Sequence, residues 1–376
     1  MLREYKRLAI VGTVGLPACY GGFETLADNL VRYAEETQST HEIDVYCSSK
    51  FYDVRLERYH GARLHYLPLQ ANGPQSVIYD IWSMLLALFR GVDTMLILGV
   101  SGAIILPFLR LVCRTRFVVN IDGLEWKREK WSGLARWFLR ISETIAVRNA
   151  HVVIADNQAI VDHVCTVYGR HAHLIPYGGD NAGIPQKAPR RGVFLDKTDG
   201  SPLINYAIML CRIEPENNVH IILEAFSADP KLPSLLAVGN WNASDYGRGL
   251  RNRFSKCPRI HMIDPVFERD RLHELRSNAA LYVHGHSAGG TNPSLVEMMW
   301  LGCPVFAFDC HYNRYTTEDK AFYFTTAQDL CSQVMNLDKS LWKSNCASMR
   351  AVARRRYRWA AIGKQYFEIA LLPSVT

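Results

Sequence analysis

The 376-residue chain holds no C-x-x-C pair and no Cys/His group at zinc spacing, although it contains ten cysteines and thirteen histidines. Neither a disulfide framework nor a zinc site is expected; reduced, mostly buried thiols are. No D-x-D triplet occurs. Such a triplet is a common way to hold a diphosphate through a divalent ion, so no metal and no resident cofactor are expected. The longest apolar, uncharged stretch, residues 94–109, is interrupted by Gly99, Ser101, Gly102 and Pro107 and falls short of the roughly 20 residues of a spanning helix. A charged opening at residues 1–7, followed by a short apolar run at 8–11, lacks the core of a secretory signal, and a cytoplasmic location is expected. With 48% hydrophobic and 21% charged residues, the composition excludes disordered and collagen-like classes. The length favours two domains. Forty-three basic against thirty-six acidic residues leave a charge of +7, which suits an anionic ligand or membrane surface without requiring nucleic acid.

What is present is a repeated alternation. Short β-branched runs at 7–11, 43–47, 95–98, 117–121, 152–155 and 173–175 alternate with helical patterns, the signature of a parallel sheet covered by helices. The pattern halts at a Pro- and Gly-rich stretch from Pro176 to about Pro202. A second series then places strands at 205–211, 235–238, 260–263, 280–284 and 304–308, with helices at 218–226 and 293–301. The expected fold class is α/β: two doubly wound, Rossmann-like domains facing across a cleft, the first over residues 1–180 and the second over 181–354. A C-terminal helix at about 355–376 packs back on the first. In such sheets ligands bind beyond the carboxyl ends of the strands.

The segment 284–301, HGHSAGGTNPSLVEMMWL, puts a glycine-rich turn after a strand and directly before a helix. Asn292 suits the cap and Pro293 the first helical position, so Gly289, Gly290 and Thr291 would offer backbone N–H groups to a diphosphate at the positive end of the helix. Glu297, one turn on, stands where a ribose hydroxyl would meet its carboxylate; a surface helix residue is the plainer alternative. Arg212 follows the first strand of the second domain, and its guanidinium suits a bidentate phosphate clamp. Asn218 reads as a helix cap. His286, beside the glycine turn, is a candidate sugar or phosphate contact.

In the first domain, the segment 12–24 carries Gly12, Gly15, Gly21 and Gly22 but does not match G-x-G-x-x-G, so a nicotinamide dinucleotide is unsupported. It reads either as a tight strand-to-helix connection or as backbone approaching a sugar or phosphate. Asp122 follows the strand at 117–121, and Glu125 lies three residues on; either carboxylate suits an acceptor hydroxyl, while Asp122 is alternatively a cap. Between Trp131 and Ile145, Trp131, Leu134, Phe138, Ile141 and Ile145 share one helical face among basic residues. Core packing and contact with an anionic bilayer both explain that pattern.

CRIEPENN at 211–218, IPYGGD at 175–180 and HSAGGTNPSLVE at 286–297 resemble the donor-site motifs of retaining glycosyltransferases with the GT-B fold. VGTVGLPACYGGFETLA at 11–27 and DGLEWKREKW at 122–131 resemble the branch of bacterial rhamnosyltransferases that build cell-surface polysaccharides such as lipopolysaccharide O-antigen. The resemblance implies transfer of L-rhamnose from dTDP-rhamnose, with retention, to a lipid-linked saccharide at the cytoplasmic face of the inner membrane. Glu216 and Asn217 join the donor-binding set on the same ground, and Gly21 and Gly22 would line the cleft. Two departures from the wider superfamily stand out: Gly289 replaces the first glutamate of Glu-x7-Glu, and Asn217 replaces a lysine after the arginine. A sugar-nucleotide epimerase and a non-catalytic nucleotide-sugar-binding subunit are the alternative readings.

Overall fold

The computed structural model describes residues 6–19, 21–121, 123–127, 133–183 and 205–371. They divide into two units, one within Met1–Lys127, Trp131–Tyr177 and Trp359–Thr376, the other within Gly178–Arg358.

In the first unit the β-branched runs form strands β1 (Arg7–Val11), β2 (Glu42–Ser48), β3 (Arg58–Tyr59), β4 (Ala62–Leu67), β5 (Thr94–Leu98), β6 (Arg116–Ile121), β7 (Val152–Ala155) and β8 (His173–Leu174). Their order is β3-β4-β2-β1-β5-β6-β7-β8, parallel except where β3 meets β4. Both faces of such a sheet are covered, which is why Leu8, Ala9, Ile10 and Val11 are all buried without polar alternation. In register, Leu8 pairs with Ile43 on one side and Thr94 on the other.

Helices α1 (Gly22–Glu36), α2 (Ser76–Phe89), α3 (Leu106–Val112), α4 (Gly133–Asn149) and α5 (Gln158–Tyr168) connect these strands. The crossovers through α2 to α5 step one way across the sheet and the crossover through α1 steps the other. With right-handed connections, α2 to α5 form one layer and α1 lies on the opposite face. The closing helix, Trp359–Leu371, joins α1: Tyr33 and Phe367 rings lie 5.5 Å apart, and Asn120 donates to the Tyr366 hydroxyl at 2.6 Å.

The buried face of α4 differs from the sequence expectation. Leu139, Ser142, Glu143, Ala146 and Val147 face inward, whereas Leu134 is 84% exposed and Phe138, Ile141 and Ile145 are half-buried; Trp131 lies outside the described residues. Small and hydrogen-bonded side chains fill the narrow space over the sheet, and a hydrophobic count cannot see them.

The second unit contains β9 (Ala207–Leu210), α6 (Val219–Ala228), β10 (Leu235–Val238), α7 (Asp245–Phe254), β11 (Ile260–Ile263), α8 (Arg269–Ser277), β12 (Leu281–His284), α9 (Pro293–Leu301), β13 (Val305–Phe308), α10 (His311–Thr317), β14 (Phe322–Phe324), α11 (Ala327–Met335) and α12 (Lys339–Arg356); the closing helix is α13. Its six strands are all parallel, in the order β11-β10-β9-β12-β13-β14. A core of Phe226, Trp241, Leu235 and Phe306 fills one side. The helix expected at about 355–376 starts only at Trp359, after a break that follows Arg356. Tyr357 is fully buried, donates from its hydroxyl to the Thr316 carbonyl at 2.7 Å, and ends α12 in a non-helical conformation. Arg355 and Arg356 pair with Glu318.

All ten cysteines are free thiols, but only Cys47, Cys303 and Cys346 are buried and Cys165 is exposed, fewer buried than expected. Of the six half-buried ones, only Cys331 lies inside a helix; the others stand in the connections between elements, where a small side chain is partly covered.

Candidate active site

Chain direction reverses between β9 and β12 in the second sheet: β9 leads to β10 and β11 on one side, β12 to β13 and β14 on the other. At such a switch point the two outgoing loops diverge and leave a crevice at the strand ends. Here the loops are those carrying Arg212 to Asn218 and Gly285 to Thr291.

The backbone joins them. A Cβ on Gly285 would lie 2.1 Å from the Asn217 carbonyl oxygen, so only glycine lets the chains approach this closely. Ser287 donates both its amide and its hydroxyl to the Glu216 carbonyl, each at 2.9 Å. Asn218 adopts a left-handed conformation at φ +47°, and its side chain donates to the Gly285 carbonyl at 2.9 Å instead of capping α6. That corrects its reading as a cap: it ties the loops together. Asn217 donates to the Arg212 carbonyl at 2.7 Å, which fixes the loop that presents the guanidinium. Arg212 itself is 39% exposed at its side chain and 3.8 Å from Glu214.

After β12 the chain passes through His286, Gly289 at φ +119° with open space where a Cβ would stand, partly exposed Gly290, and buried Thr291. Asn292 caps α9, accepting from the Ser294 amide at 3.0 Å, and Pro293 occupies the first turn. The N-terminus of α9 therefore has the cap geometry that leaves amides directed at an anion. His284, at the end of β12, is fully buried, and burial pushes its imidazole down to about 3, so it is neutral. It accepts or donates with the Tyr282 hydroxyl at 3.0 Å and stacks on His286 with ring centres 4.4 Å apart. Asn313 holds the His286 carbonyl at 2.8 Å.

Glu297 is only 5% exposed. One carboxylate oxygen pairs with Arg276 of α8, and the other accepts from the Asn181 amide nitrogen at 2.8 Å. A carboxylate offers about four lone-pair directions, so Glu297 keeps acceptor capacity while two donors set its orientation. The segment bearing Asn181 lies against α9 at Gly179, where a Cβ would meet the Val296 carbonyl at 2.4 Å. Sequence reasoning missed Arg276 and Asn181: nothing in their spacing marks a buried ion pair contributed by separate segments.

The first sheet has its own switch point, between β1 and β5, and its loops also meet through glycine. A Cβ on Gly12 would lie 2.1 Å from the Leu98 carbonyl, and one on Gly15, 2.6 Å from Cys47 Cβ. Gly21 takes the N-cap position of α1 and Gly22 its first residue. Glu24, buried in that first turn, accepts from the Thr13 hydroxyl at 2.9 Å and the Val14 amide at 2.7 Å, a clamp between residues ten and eleven apart that no local spacing marks. On α2, Asp80 accepts from the Ser101 hydroxyl and the Gly102 amide, and burial pushes its carboxyl up to about 7.

Asp122 lies outside the described residues. Glu125 begins the short turn Glu125–Lys127. That turn is pinned by Trp126, which donates to Glu143 at 2.9 Å while His163 and Tyr168 engage the other Glu143 oxygen at 2.9 and 2.7 Å. Lys127 and Arg140 both lie over the Trp126 ring, at 5.4 and 5.3 Å from its centre. Among the described residues, no group of three or more His, Cys, Asp or Glu side chains is placed to hold a metal.

Within the second unit the structure thus brings Glu216, Asn217, His286 and the glycine turn together. Within the first it brings the loop of Gly12 and Gly15 against the ends of β2 and β5.

Residues 5–180 match a family described as "Domain of unknown function (DUF1972)", and no curated protein matches the chain in sequence. Sucrose-phosphate synthase from Thermosynechococcus elongatus superposes with a TM-score of 0.78 at 16% identity, over 97% of this chain and 98% of that one. Anabaena HepE in complex with UDP and glucose gives 0.73 at 18% identity, over 97% and 98%. The catalytic domain of Arabidopsis thaliana starch synthase IV, bound to ADP and acarbose, gives 0.70 at 13% identity, again over 97% and 98%. These neighbours are GT-B glycosyltransferases, and the two doubly wound parallel sheets of this chain have the GT-B fold.

Proposed function

We propose that the protein is a retaining glycosyltransferase that moves L-rhamnose from dTDP-rhamnose to a hydroxyl of a lipid-linked saccharide, in the assembly of a cell-surface polysaccharide at the cytoplasmic face of the inner membrane. The observation that carries the reading is the main-chain junction of the two loops at the β9/β12 switch point, which joins the loop of Arg212, Glu216 and Asn217 to the loop of His286 that leads into α9. A diphosphate accepts hydrogen bonds from the Gly289 and Gly290 segment and charge from Arg212, and the ribose hydroxyls reach Glu297. The solved HepE complex with UDP-glucose shares this fold. The choice of rhamnose and of its nucleotide rests on the sequence motifs at 11–27 and 122–131.

In the proposed reaction the bond from the sugar C1 to the departing phosphate oxygen breaks while the acceptor oxygen bonds to C1 on the same face. The acceptor proton passes to the departing phosphate oxygen. Arg212 and the α9 N-terminus stabilise the charge that develops there, Asp122 or Glu125 orients the acceptor hydroxyl, and no metal takes part.

The test is incubation of the purified protein with dTDP-, UDP- and GDP-sugars, with and without lipid-linked acceptors, followed by product analysis. Rhamnosylated lipid is the expected product, formed only when donor and acceptor are both present. Turnover of donor alone would establish the epimerase or hydrolase alternative; donor binding with no turnover under any condition would establish a non-catalytic subunit.

A further inference from the structure

The outward side chains of α2, α3 and α4, which share one layer on the first sheet, are both apolar and basic. Trp82 and Phe89 on α2, Phe108 and Leu111 on α3, and Leu134 and Trp137 on α4 stand exposed; Phe89, Leu111 and Leu134 are 87%, 86% and 84% exposed. Protein surfaces seldom gather large apolar side chains in this way without a partner for them. Arg90, Arg110, Arg114, Arg136, Arg140 and Arg148 lie exposed among them. The three helices carry two carboxylates in all, Asp80 and Glu143, and both are buried, although the chain has 36 acidic residues. Arg110 donates to the Asn149 carbonyl at 3.2 Å, joining α3 to the end of α4.

We propose that this face lies on an anionic lipid bilayer, with the tryptophan, phenylalanine and leucine side chains in the boundary between headgroups and acyl chains and the arginines at the lipid phosphates. This refines the membrane contact in the reading above by assigning the side chains that make it. Charge decides the occupant. A second copy of the same face would set arginine against arginine with no carboxylate to neutralise either, whereas anionic headgroups match both halves of the pattern. Attachment is from the surface, because among the described residues no helix is long and apolar enough to cross a membrane. The turn Glu125–Lys127 packs against α4, which ties the segment bearing Glu125 to one helix of this face.

The test is sedimentation of the full chain with sucrose-loaded vesicles of phosphatidylcholine alone, or with one third phosphatidylglycerol. Binding to the anionic vesicles is expected to exceed binding to neutral ones by at least tenfold and to weaken in high salt, each basic residue near the surface contributing about fivefold. Leu111→Ser with Trp137→Ser, and separately Arg136→Glu with Arg148→Glu, should each lower it about tenfold or more, with melting temperature and sugar-nucleotide affinity unchanged. Equal binding to both vesicles, variants that bind like the parent protein, or a solution dimer dissociated by Trp137→Ser would overturn the proposal. The assay uses neither donor nor acceptor. Vesicle binding without any glycosyl transfer would therefore sink the proposed reaction alone, and transfer to a soluble acceptor without vesicle binding would sink the membrane surface alone.

Discussion

The Asn181 side chain donates to Glu297 at 2.8 Å, linking the segment that opens the second unit to helix α9, while Arg276 pairs with the other carboxylate oxygen from α8. Two separate stretches of chain thus converge on one nearly buried acid carried by a third.

Removing one partner of a buried ion pair strands the other, which typically costs about 3–5 kcal/mol. Because the side chains of Arg276 and Glu297 are only 10% and 7% exposed, Arg276→Ala should destabilise the protein by about 3 kcal/mol and, on the proposed function, raise the dissociation constant for the sugar nucleotide, while Arg276→Lys recovers part of each. Thermal melts and titration calorimetry measure both; a variant with unaltered melting and affinity would show that Glu297 needs no orienting charge.

The two loop glycines should respond differently to alanine. At Gly285 the new Cβ would lie 2.1 Å from the Asn217 carbonyl oxygen, an overlap that backbone movement must relieve at about 1–3 kcal/mol. At Gly289 nothing stands within 4 Å, so only the strain of its positive φ remains, of order 1 kcal/mol. Denaturation midpoints should rank Gly285→Ala below Gly289→Ala, and the reverse order would refute the close approach of the loops.

Asp80 should make stability depend on pH. Burial raises its carboxyl to about 7 in the folded protein, against about 3.9 in an unfolded chain. Between these values the native state holds a proton that the unfolded state has released, so this group's contribution is complete below about pH 3.9 and fades as pH rises through about 7. The loss amounts to roughly 4 kcal/mol at most. Melting temperature measured from pH 5 to pH 8 should fall more in the parent protein than in Asp80→Asn; parallel curves would mean that Asp80 ionises normally.

On the proposed reaction, Asp122→Asn should lower kcat about 100-fold or more if the carboxylate works on the acceptor hydroxyl, with donor affinity kept. Arg212→Ala should also act mainly on kcat, since the charge it meets grows as the phosphate departs. Normal turnover in Asp122→Asn would reduce that residue to a cap; unchanged kcat in Arg212→Ala would remove it from the leaving-group site.

Most strands were legible because a parallel sheet buried on both faces needs unbroken apolar runs: β1, β7, β10 and β11 begin and end where those runs do. The pair β3 and β4 escaped notice. Its sequence mixes Arg58, Arg63 and His65 with apolar residues, and as the edge of the sheet it is only half covered. The cap of α9 was readable because Asn292 and Pro293 act on neighbouring residues in the chain. Glu24, Glu143 and Arg276 were not, since a charged residue whose partners are distant in sequence looks like any solvated one until the fold closes around it. The face of α4 was misjudged for the same reason, with Ser142 and Glu143 turned inward.

The contact of Gly285 with the Asn217 carbonyl, and of the Ser287 amide with Glu216, joins the two loops through peptide groups. Substitutions at Ala288 or Gly290 would change the surface that the turn presents while leaving that seam in place. On the proposed function, attempts to redirect the protein to another sugar nucleotide have a natural starting point in those two positions, with Gly285 held constant.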